Sequence, residues 1–217
     1  MSLKLYGYWR SSASYRVRIA LNLKQLDYQY IPIDLVNNGG DQRSEDYQRL
    51  NPSRLVPTLV DDDADVTLSQ SLAIIEYLDE KYDEHCRLLP EHAQDRARVR
   101  MLSHDIASDT QPLVNLRVVN ALKDDFAASE KQTTDWVQNW IRRGFEGVSS
   151  KIDKRAGKYA YGYQLTMLDI CLIPQVYSAN RFGLNMQDFP LINKIYHNCM
   201  EMEAFQKAAP ENQVDAP

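Results

Sequence analysis

Hydrophobic spacing divides the chain into two parts with different predicted elements. In the first third, short β-prone runs alternate with segments of helical periodicity, which is typical of an α/β unit. Strands are predicted over residues 3–8, 28–34, 56–60 and 66–68. Helices are predicted after Ser11 and Ser12, over residues 44–50, and from Ser71 onward.

From Glu91 onward the strand pattern ends, and helical periodicity predicts an all-helical domain. The predicted helices span residues 96–121, 132–152, 166–179 and 191–206. Thr166 and Asp169 form a variant capping box, and the tail over residues 211–217 is expected to fray. We therefore predict an α/β domain over 1–83, a linker over 84–90 and a helical domain over 91–217.

The overall charge restricts the classes of partner. The 217 residues include 25 Lys and Arg against 30 Asp and Glu, which gives a net charge of -5. Such an acidic chain has no general electrostatic attraction for nucleic acid or for anionic lipid. Because the sequence has no bilayer-length apolar run and no signal-like N-terminus, we expect a cytosolic protein.

Cysteines and histidines do not indicate a metal site. Cys86, Cys171 and Cys199 are widely spaced, form no CxxC pair and lack metal-ligand spacing to the four histidines. We expect three reduced, mostly buried thiols and no metal. The sequence also has no evident catalytic triad or carboxylate pair.

Three short motifs of the first domain carry candidate chemistry. Arg10-Ser11-Ser12 follows a strand and opens a helix, whose N-terminus stabilises an anion such as a thiolate. Val56-Pro57 begins a strand, where a cis bond is tolerated and Val56 can offer its backbone to a peptide-like ligand. Ser69-Gln70-Ser71 opens another helix and can hold a carboxylate. Each motif alone is more often a cap or a turn, but together they predict a peptide-binding groove.

In this order and spacing, the motifs resemble the glutathione-binding half of the glutathione transferases. The run from Ser11 to Leu21 is similar to the zeta-class signature SSCxWRVRIAL, and the resemblance covers essentially the whole chain. The resemblance implies a thioredoxin-like N-terminal domain, an all-helical C-terminal domain and a homodimer. Supporting runs lie at residues 50–52, 56–59, 70–78, 111–113, 174–176 and 181–182.

The resemblance also implies glutathione as the cofactor and a small dicarboxylate keto acid as the substrate. Thiolate addition, bond rotation and elimination would convert maleylacetoacetate to fumarylacetoacetate in tyrosine and phenylalanine breakdown. The implied catalytic residues are Arg10, Ser11 and Ser12. The implied glutathione contacts are Ser11, Ser12, Ala13, Gln42, Val56, Pro57, Gln70, Ser71, Gln111, Asn115 and Arg117.

A substrate with two carboxylates needs local cations, because the chain as a whole is acidic. Arg10, Arg117 and Arg181 are the candidates, since a planar guanidinium matches a carboxylate with two hydrogen bonds. Arg16 and Arg18 are instead expected to form ion pairs between domains or subunits.

Two positions depart from the signature, since Ala13 replaces its cysteine and Tyr15 replaces its tryptophan. Because the attacking sulfur comes from glutathione, the missing cysteine is expected to weaken thiol positioning rather than abolish isomerisation. This departure leaves a maleylpyruvate isomerase as an alternative, beside a general conjugating transferase and a non-catalytic module. The arginines argue against a conjugating transferase, whose site is more naturally apolar. The retained serine, proline and glutamine positions argue against a non-catalytic module.

Overall fold

Internal contacts separate two units in the computed structural model, which describes residues 3–217 apart from the side chain of Asn38. The first unit comprises Met1–Leu88 together with Met202–Pro217, and the second comprises Leu89–Glu201. The return of the C-terminal residues to the first unit departs from the prediction that 91–217 form a single domain. The reason is a helix in this segment that packs on the first helix of the chain.

A four-stranded sheet forms the centre of the first unit, in the order β2-β1-β3-β4. β1 pairs with β2 in parallel, whereas the pairs β1–β3 and β3–β4 are antiparallel. The third strand begins two residues later than predicted, after Pro57, which lacks the N–H that a strand ladder requires. The strands are β1 (Leu3–Gly7), β2 (Gln29–Pro32), β3 (Thr58–Asp61) and β4 (Val66–Ser69).

Helices cover the sheet, and the first of them is buried on nearly every side. Val17, Ile19 and Leu21 are fully buried, because both α3 and the C-terminal helix α10 pack against α1. This arrangement is the α/β part of the predicted fold. The helices of this unit are α1 (Ser12–Leu23), α2 (Glu45–Leu50), α3 (Ser71–Lys81) and α10 (Glu203–Ala208).

The second unit is helical, as predicted. One core stripe lies on α7, where Val137, Ile141, Phe145, Val148 and Ile152 recur at helical spacing and are fully buried. Among residues 3–217, no helix is long and apolar enough to cross a membrane. The helices of this unit are α4 (Ala93–His104), α5 (Gln111–Leu113), α6 (Leu116–Asp124), α7 (Glu130–Ile152), α8 (Met167–Arg181) and α9 (Pro190–Met200).

Two of the predicted long helices are interrupted. The segment 96–121 becomes α4, a π-helical stretch over Asp105–Thr110, α5 and α6. Asn115 leaves the helical conformation and caps α6, which ends the continuity that periodicity alone suggested. The segment 191–206 breaks at Met202, whose extended backbone separates α9 from α10.

The C-terminal tail is ordered by contacts, so the expectation of a frayed end over residues 211–217 is wrong. Pro210 is buried and opens a short 3-10 turn over Pro210–Asn212. Asp215 accepts a hydrogen bond from the backbone N–H of Trp9 at 2.9 Å. The tail therefore packs on the part of the chain that carries the first candidate motif.

Candidate functional site

Strand register brings the three candidate motifs to one end of the sheet. Thr58, the first residue of β3, pairs with Tyr6 near the end of β1 and with Ser69 at the end of β4. The turn after β1, the residues before β3 and the start of α3 must therefore lie beside one another. The parallel pairing of Gly7 with Pro32 brings the loop after β2 to the same end.

The turn after β1 presents Ser11 as the N-cap of α1. Its hydroxyl oxygen accepts the backbone N–H of Ser14 at 3.2 Å, so the hydroxyl proton is left to donate elsewhere. Ser12 and Ala13 follow in the first helical turn, where backbone N–H groups lack partners within the helix. Ser11 N–H itself closes the turn on the carbonyl of Tyr8 at 3.0 Å.

The segment before β3 has the backbone geometry that the sequence suggested. The Val56–Pro57 peptide bond is cis. Within residues 3–217, the backbone N–H and C=O of Val56 have no hydrogen-bond partner, and the residue is half-buried. Leu55 is fixed just before it, because its carbonyl accepts from Tyr47 at 2.7 Å and from Asn51 at 2.8 Å. An extended ligand could therefore pair with Val56 as a further strand does.

The start of α3 is a helix N-terminus without a side-chain cap. Gln70 is exposed and stands in the left-handed region, with φ of 72°, which is uncommon for a residue other than glycine. Outliers of this kind concentrate at functional sites. The uncapped N–H groups of the first turn suit an anion such as a carboxylate.

A buried arginine fixes the hydroxyl beside this helix start. Arg16 on α1 is 2% exposed and donates from Nε to Ser71 Oγ at 2.9 Å. Since an arginine can only donate, the hydroxyl proton of Ser71 must point to another acceptor. The guanidinium also adds positive charge at the N-terminus of α3. The contact with Ser71 lies within the first unit, so it is not itself the interdomain or subunit ion pair that was expected for Arg16.

Gln42 lies in the loop after β2, in a short 3-10 turn over Asp41–Arg43. The side chain folds over Gly40, where an added Cβ would come within 2.3 Å of Oε1. This oxygen is buried and has no hydrogen-bond partner in the described part of the chain. A buried acceptor without a partner makes this loop a candidate for a ligand contact.

Two candidate arginines stack on neighbouring aromatic rings. The Arg10 guanidinium lies 5.2 Å from the ring centre of Trp9, and the Arg181 guanidinium lies 4.6 Å from that of Phe182. Stacking on a ring restricts the orientation of the planar group, and at Arg10 it leaves the edge of the guanidinium available for a carboxylate. Arg10 belongs to the first unit and Arg181 to the second.

The other candidates of the helical unit occupy the region where α4 gives way to α6. Gln111 begins α5 and is half-buried, and Arg117 is exposed in the first turn of α6. Asn115 is the N-cap of α6, since its side-chain oxygen accepts the N–H of Val118 at 3.2 Å. The side-chain amide of Asn115 remains a donor.

Residues that position the site were missed by sequence reasoning. Arg16 and Arg18 stand among apolar residues of α1, which is a signal of buried arginines with dedicated partners. Arg18 donates to backbone carbonyl oxygens of Ala208 and Trp9, each at 2.9 Å, and not to the expected ion pair. No local signal marked Asp215, because it contacts a residue 206 positions away.

Known proteins share both the motifs and the fold. The N-terminal domain of glutathione S-transferases matches residues 10–81. A probable maleylacetoacetate isomerase of Vibrio cholerae is 47% identical over 100% of this chain and 99% of its own length.

Solved structures agree with this likeness. A bacterial maleyl pyruvate isomerase described as a zeta-class glutathione transferase superposes with a TM-score of 0.93 at 39% identity, covering 99% of this chain and 100% of that one. A maleylacetoacetate isomerase of Methylobacterium extorquens AM1, solved with malonate and glutathione bound, gives 0.91 at 34% identity and covers 99% of both chains. The chain therefore belongs to the zeta-class glutathione transferases, the family of the maleylacetoacetate isomerases.

Proposed function

We propose that the protein is a glutathione-dependent cis–trans isomerase that converts maleylacetoacetate to fumarylacetoacetate. One observation carries the proposal: the end of the sheet that gathers the Ser11 turn, Val56 and the start of α3. These groups offer a hydroxyl proton, an unpaired strand backbone and an uncapped helix N-terminus. These groups match the central thiol, the cysteinyl backbone and the γ-glutamyl carboxylate of glutathione.

The residues present fit glutathione one group at a time. Val56 would pair with the cysteinyl backbone, and Ser71 with the N–H groups of α3 would hold the γ-glutamyl carboxylate. The buried acceptor of Gln42 would meet an N–H near the glycine end. We also assign glutathione contacts to Ser12, Ala13, Pro57, Gln70, Gln111, Asn115 and Arg117.

The chemistry requires a thiolate at neutral pH. Bound glutathione would supply that thiolate for addition to the cis double bond and for elimination after rotation. Ser11 stabilises the anion by donating its hydroxyl proton, since the hydroxyl oxygen already accepts from Ser14. The backbone N–H groups at the start of α1 add the positive end of the helix dipole, and both effects lower the thiol pKa. Ala13 contributes only its backbone, so the serine hydroxyl and the helix carry this role.

Arginines bind the two carboxylates of the substrate in this proposal. Arg10 precedes Ser11 directly, so its guanidinium serves the same end of the sheet. Arg117 and Arg181 are the candidates from the helical unit. We further propose a cytoplasmic homodimer, on the strength of the family to which the chain belongs.

Side-by-side rates on maleylacetoacetate and maleylpyruvate, each with and without glutathione, test this function. We expect turnover that requires glutathione and a higher kcat/KM for maleylacetoacetate. A clear preference for maleylpyruvate would assign the chain to that isomerase activity. Conjugation of a simple electrophile without isomerisation of either acid would show a conjugating transferase, and absence of glutathione binding in calorimetry would leave a non-catalytic module.

A further inference from the structure

The turn that carries Arg10 and Ser11 is held on both sides by side chains from other parts of the first unit. The N–H of Trp9 donates to Asp215 Oδ2 at 2.9 Å. The C=O of Trp9 accepts from Arg18 Nη2 at 2.9 Å. Both polar groups of the residue that precedes Arg10 are therefore fixed by side chains.

Arg18 joins this turn to the C-terminal helix. Its guanidinium is fully buried, and Nε donates to the carbonyl of Ala208 at 2.9 Å while Nη1 donates to that of Tyr8 at 3.4 Å. Burial lowers the pKa of Arg18, and the nearby Tyr30 and Asp215 oppose that effect. An arginine keeps its charge in proteins, so the buried cation forms strong hydrogen bonds with the carbonyls of Ala208 and Trp9.

Asp215 completes the connection from the other side. Its Oδ2 also accepts from the hydroxyl of Tyr30 at 3.4 Å. Its Oδ1 is buried and has no hydrogen-bond partner among residues 3–217, which costs stability. A cost of this kind is typical of residues kept for function rather than for stability.

We propose that residues 208–217 are a positioning element for the thiol site, and that Asp215 is its main positioning residue. The inference rests on the proposed function, because the aim of the Ser11 hydroxyl matters only if a thiolate lies beside it. Hydrogen bonds at reacting atoms require positions within about 0.5 Å, and the turn has few bonds of its own to provide this precision. Asp215 and Arg18 supply the missing constraints on Trp9.

Two substitutions at Asp215 separate positioning from a direct effect of charge. Asp215→Asn removes the negative charge but keeps an acceptor for the Trp9 N–H, whereas Asp215→Ala removes both. Loss of a nearby negative charge lowers a thiol pKa, while misalignment of Ser11 raises it. The two effects therefore have opposite signs, and Glu203→Gln on α10 controls for charge without contact to the turn.

Three quantities decide the question in the full-length chain: kcat, the pKa of the bound thiol from its thiolate absorbance, and the exchange rate of the Trp9 amide without ligand. For Asp215→Ala we expect kcat to fall about tenfold, the thiol pKa to rise and the Trp9 amide to exchange faster, with glutathione affinity within about twofold. Asp215→Asn should retain kcat within about threefold, and Glu203→Gln should resemble the wild type.

The outcomes distinguish this inference from the function on which it rests. A wild type that neither binds glutathione nor isomerises the acids overturns the proposed function, while faster exchange at Trp9 in Asp215→Ala still supports the positioning contact. A working wild type whose Asp215→Ala variant keeps the same kcat, thiol pKa and Trp9 exchange overturns the positioning role. A thiol pKa that falls equally in both variants also overturns it, because charge alone then explains the effect.

Discussion

At the proposed site, two serine hydroxyls each accept a hydrogen bond from a group that can only donate. Ser11 Oγ accepts a backbone N–H, and Ser71 Oγ accepts an arginine N–H. A hydroxyl has one proton and two lone pairs, so an occupied lone pair leaves the proton free for a ligand atom. Both hydroxyls can therefore donate to an anion, which suits a thiolate at Ser11 and a carboxylate at Ser71.

Replacing Ser11 tests the thiolate donor. For Ser11→Ala we expect kcat to fall about 100-fold, as when one donor to a developing anion is removed, with glutathione affinity largely unchanged. The bound thiol pKa should rise, because the thiolate loses its hydroxyl donor. Steady-state kinetics and thiolate absorbance measure both effects.

The same substitution also removes the N-cap of α1, so the controls must separate capping from catalysis. Ser11→Thr keeps the hydroxyl and the cap and should recover most of the turnover. Ser129→Ala removes the N-cap of α7, which is outside the proposed site, and measures the effect of losing a cap alone. Unchanged turnover in Ser11→Ala would exclude Ser11 from the thiolate role.

The contact between Arg16 and Ser71 predicts coupled effects on glutathione binding. Ser71→Ala and Arg16→Met should each weaken binding about tenfold, and the double variant should be no weaker than either. An analogue that lacks the γ-glutamyl carboxylate should bind all of these proteins alike. Calorimetry on the four proteins and both ligands measures the coupling, and the exposed Arg49→Met is the matched control. Additive losses, or equal losses for the analogue, would contradict this assignment.

At the scale of residues, the proposed ligand contacts could be inferred from the sequence, whereas the side chains that support them could not. Ser11, Val56 and Ser71 lie in motifs that adjacent residues mark as a helix start or a strand start. Arg16 and Asp215 act through partners that are 55 and 206 residues away. Such partners are fixed by the packing of α1 against α3 and α10, which hydrophobic periodicity does not specify.

Among the helices, the start of α8 depends on one buried carboxylate. Asp169 is fully buried and accepts the N–H of Ala160 at 2.7 Å and the N–H of Thr166 at 2.9 Å. The hydrogen bond from the Thr166 N–H to Asp169 is one half of the capping box that the sequence predicts. Burial raises the pKa of Asp169 to about 6, although these hydrogen bonds oppose the shift.

The raised pKa of Asp169 predicts a contribution to the free energy of unfolding that becomes smaller as pH rises. Between the ordinary value of 3.8 and about 6, the folded chain binds the proton more tightly than the unfolded chain does. This component is therefore fully present below pH 4 and is lost as pH rises through about 6, by a few kcal/mol. The neutral Asp169→Asn lacks it, so the wild type should exceed the variant in unfolding free energy by more at pH 4 than at pH 7.

Urea unfolding of both proteins at several pH values measures this difference. The contributions of the other carboxylates cancel, because the two proteins share them. Asp95→Asn is the control with the opposite sign, because the hydroxyl of Tyr161 lowers the pKa of Asp95. Its stability component is present at neutral pH and is lost as pH falls. A difference between wild type and Asp169→Asn that does not change with pH would contradict a raised pKa at Asp169.

Element boundaries were predictable where a local signal ends a helix and not where packing ends it. Ser44 and Ser129 cap α2 and α7 close to the predicted starts. The change from α4 to a π-helical stretch coincides instead with packing, where Gly144 on α7 allows Thr110 to approach closely. That approach is a tertiary contact, which hydrophobic periodicity does not reveal. The periodicity therefore predicted one continuous helix over 96–121.

The whole molecule differs from the predicted division because the first unit is built from two separate segments of the chain. α10 packs on α1, and Asn22 donates to the carbonyl of Ala204 at 2.9 Å. Arg18 is buried against the carbonyl of Ala208. Without the second segment, the first would expose an apolar helix face and leave a buried cation with fewer partners.

Fragments of the chain test this dependence. Residues 1–88 alone should show no cooperative thermal transition, because the apolar face of α1 that α10 covers would be exposed to water, and that burial is a large share of the stability of a small unit. Joining residues 202–217 to them through a flexible linker should restore a cooperative transition, followed by circular dichroism. Phe205→Asp in the linked fragment is the matched control, since Phe205 is fully buried and the substitution should abolish the restoration. Equal melting temperatures for the two fragments would show that α1 does not depend on the C-terminal segment.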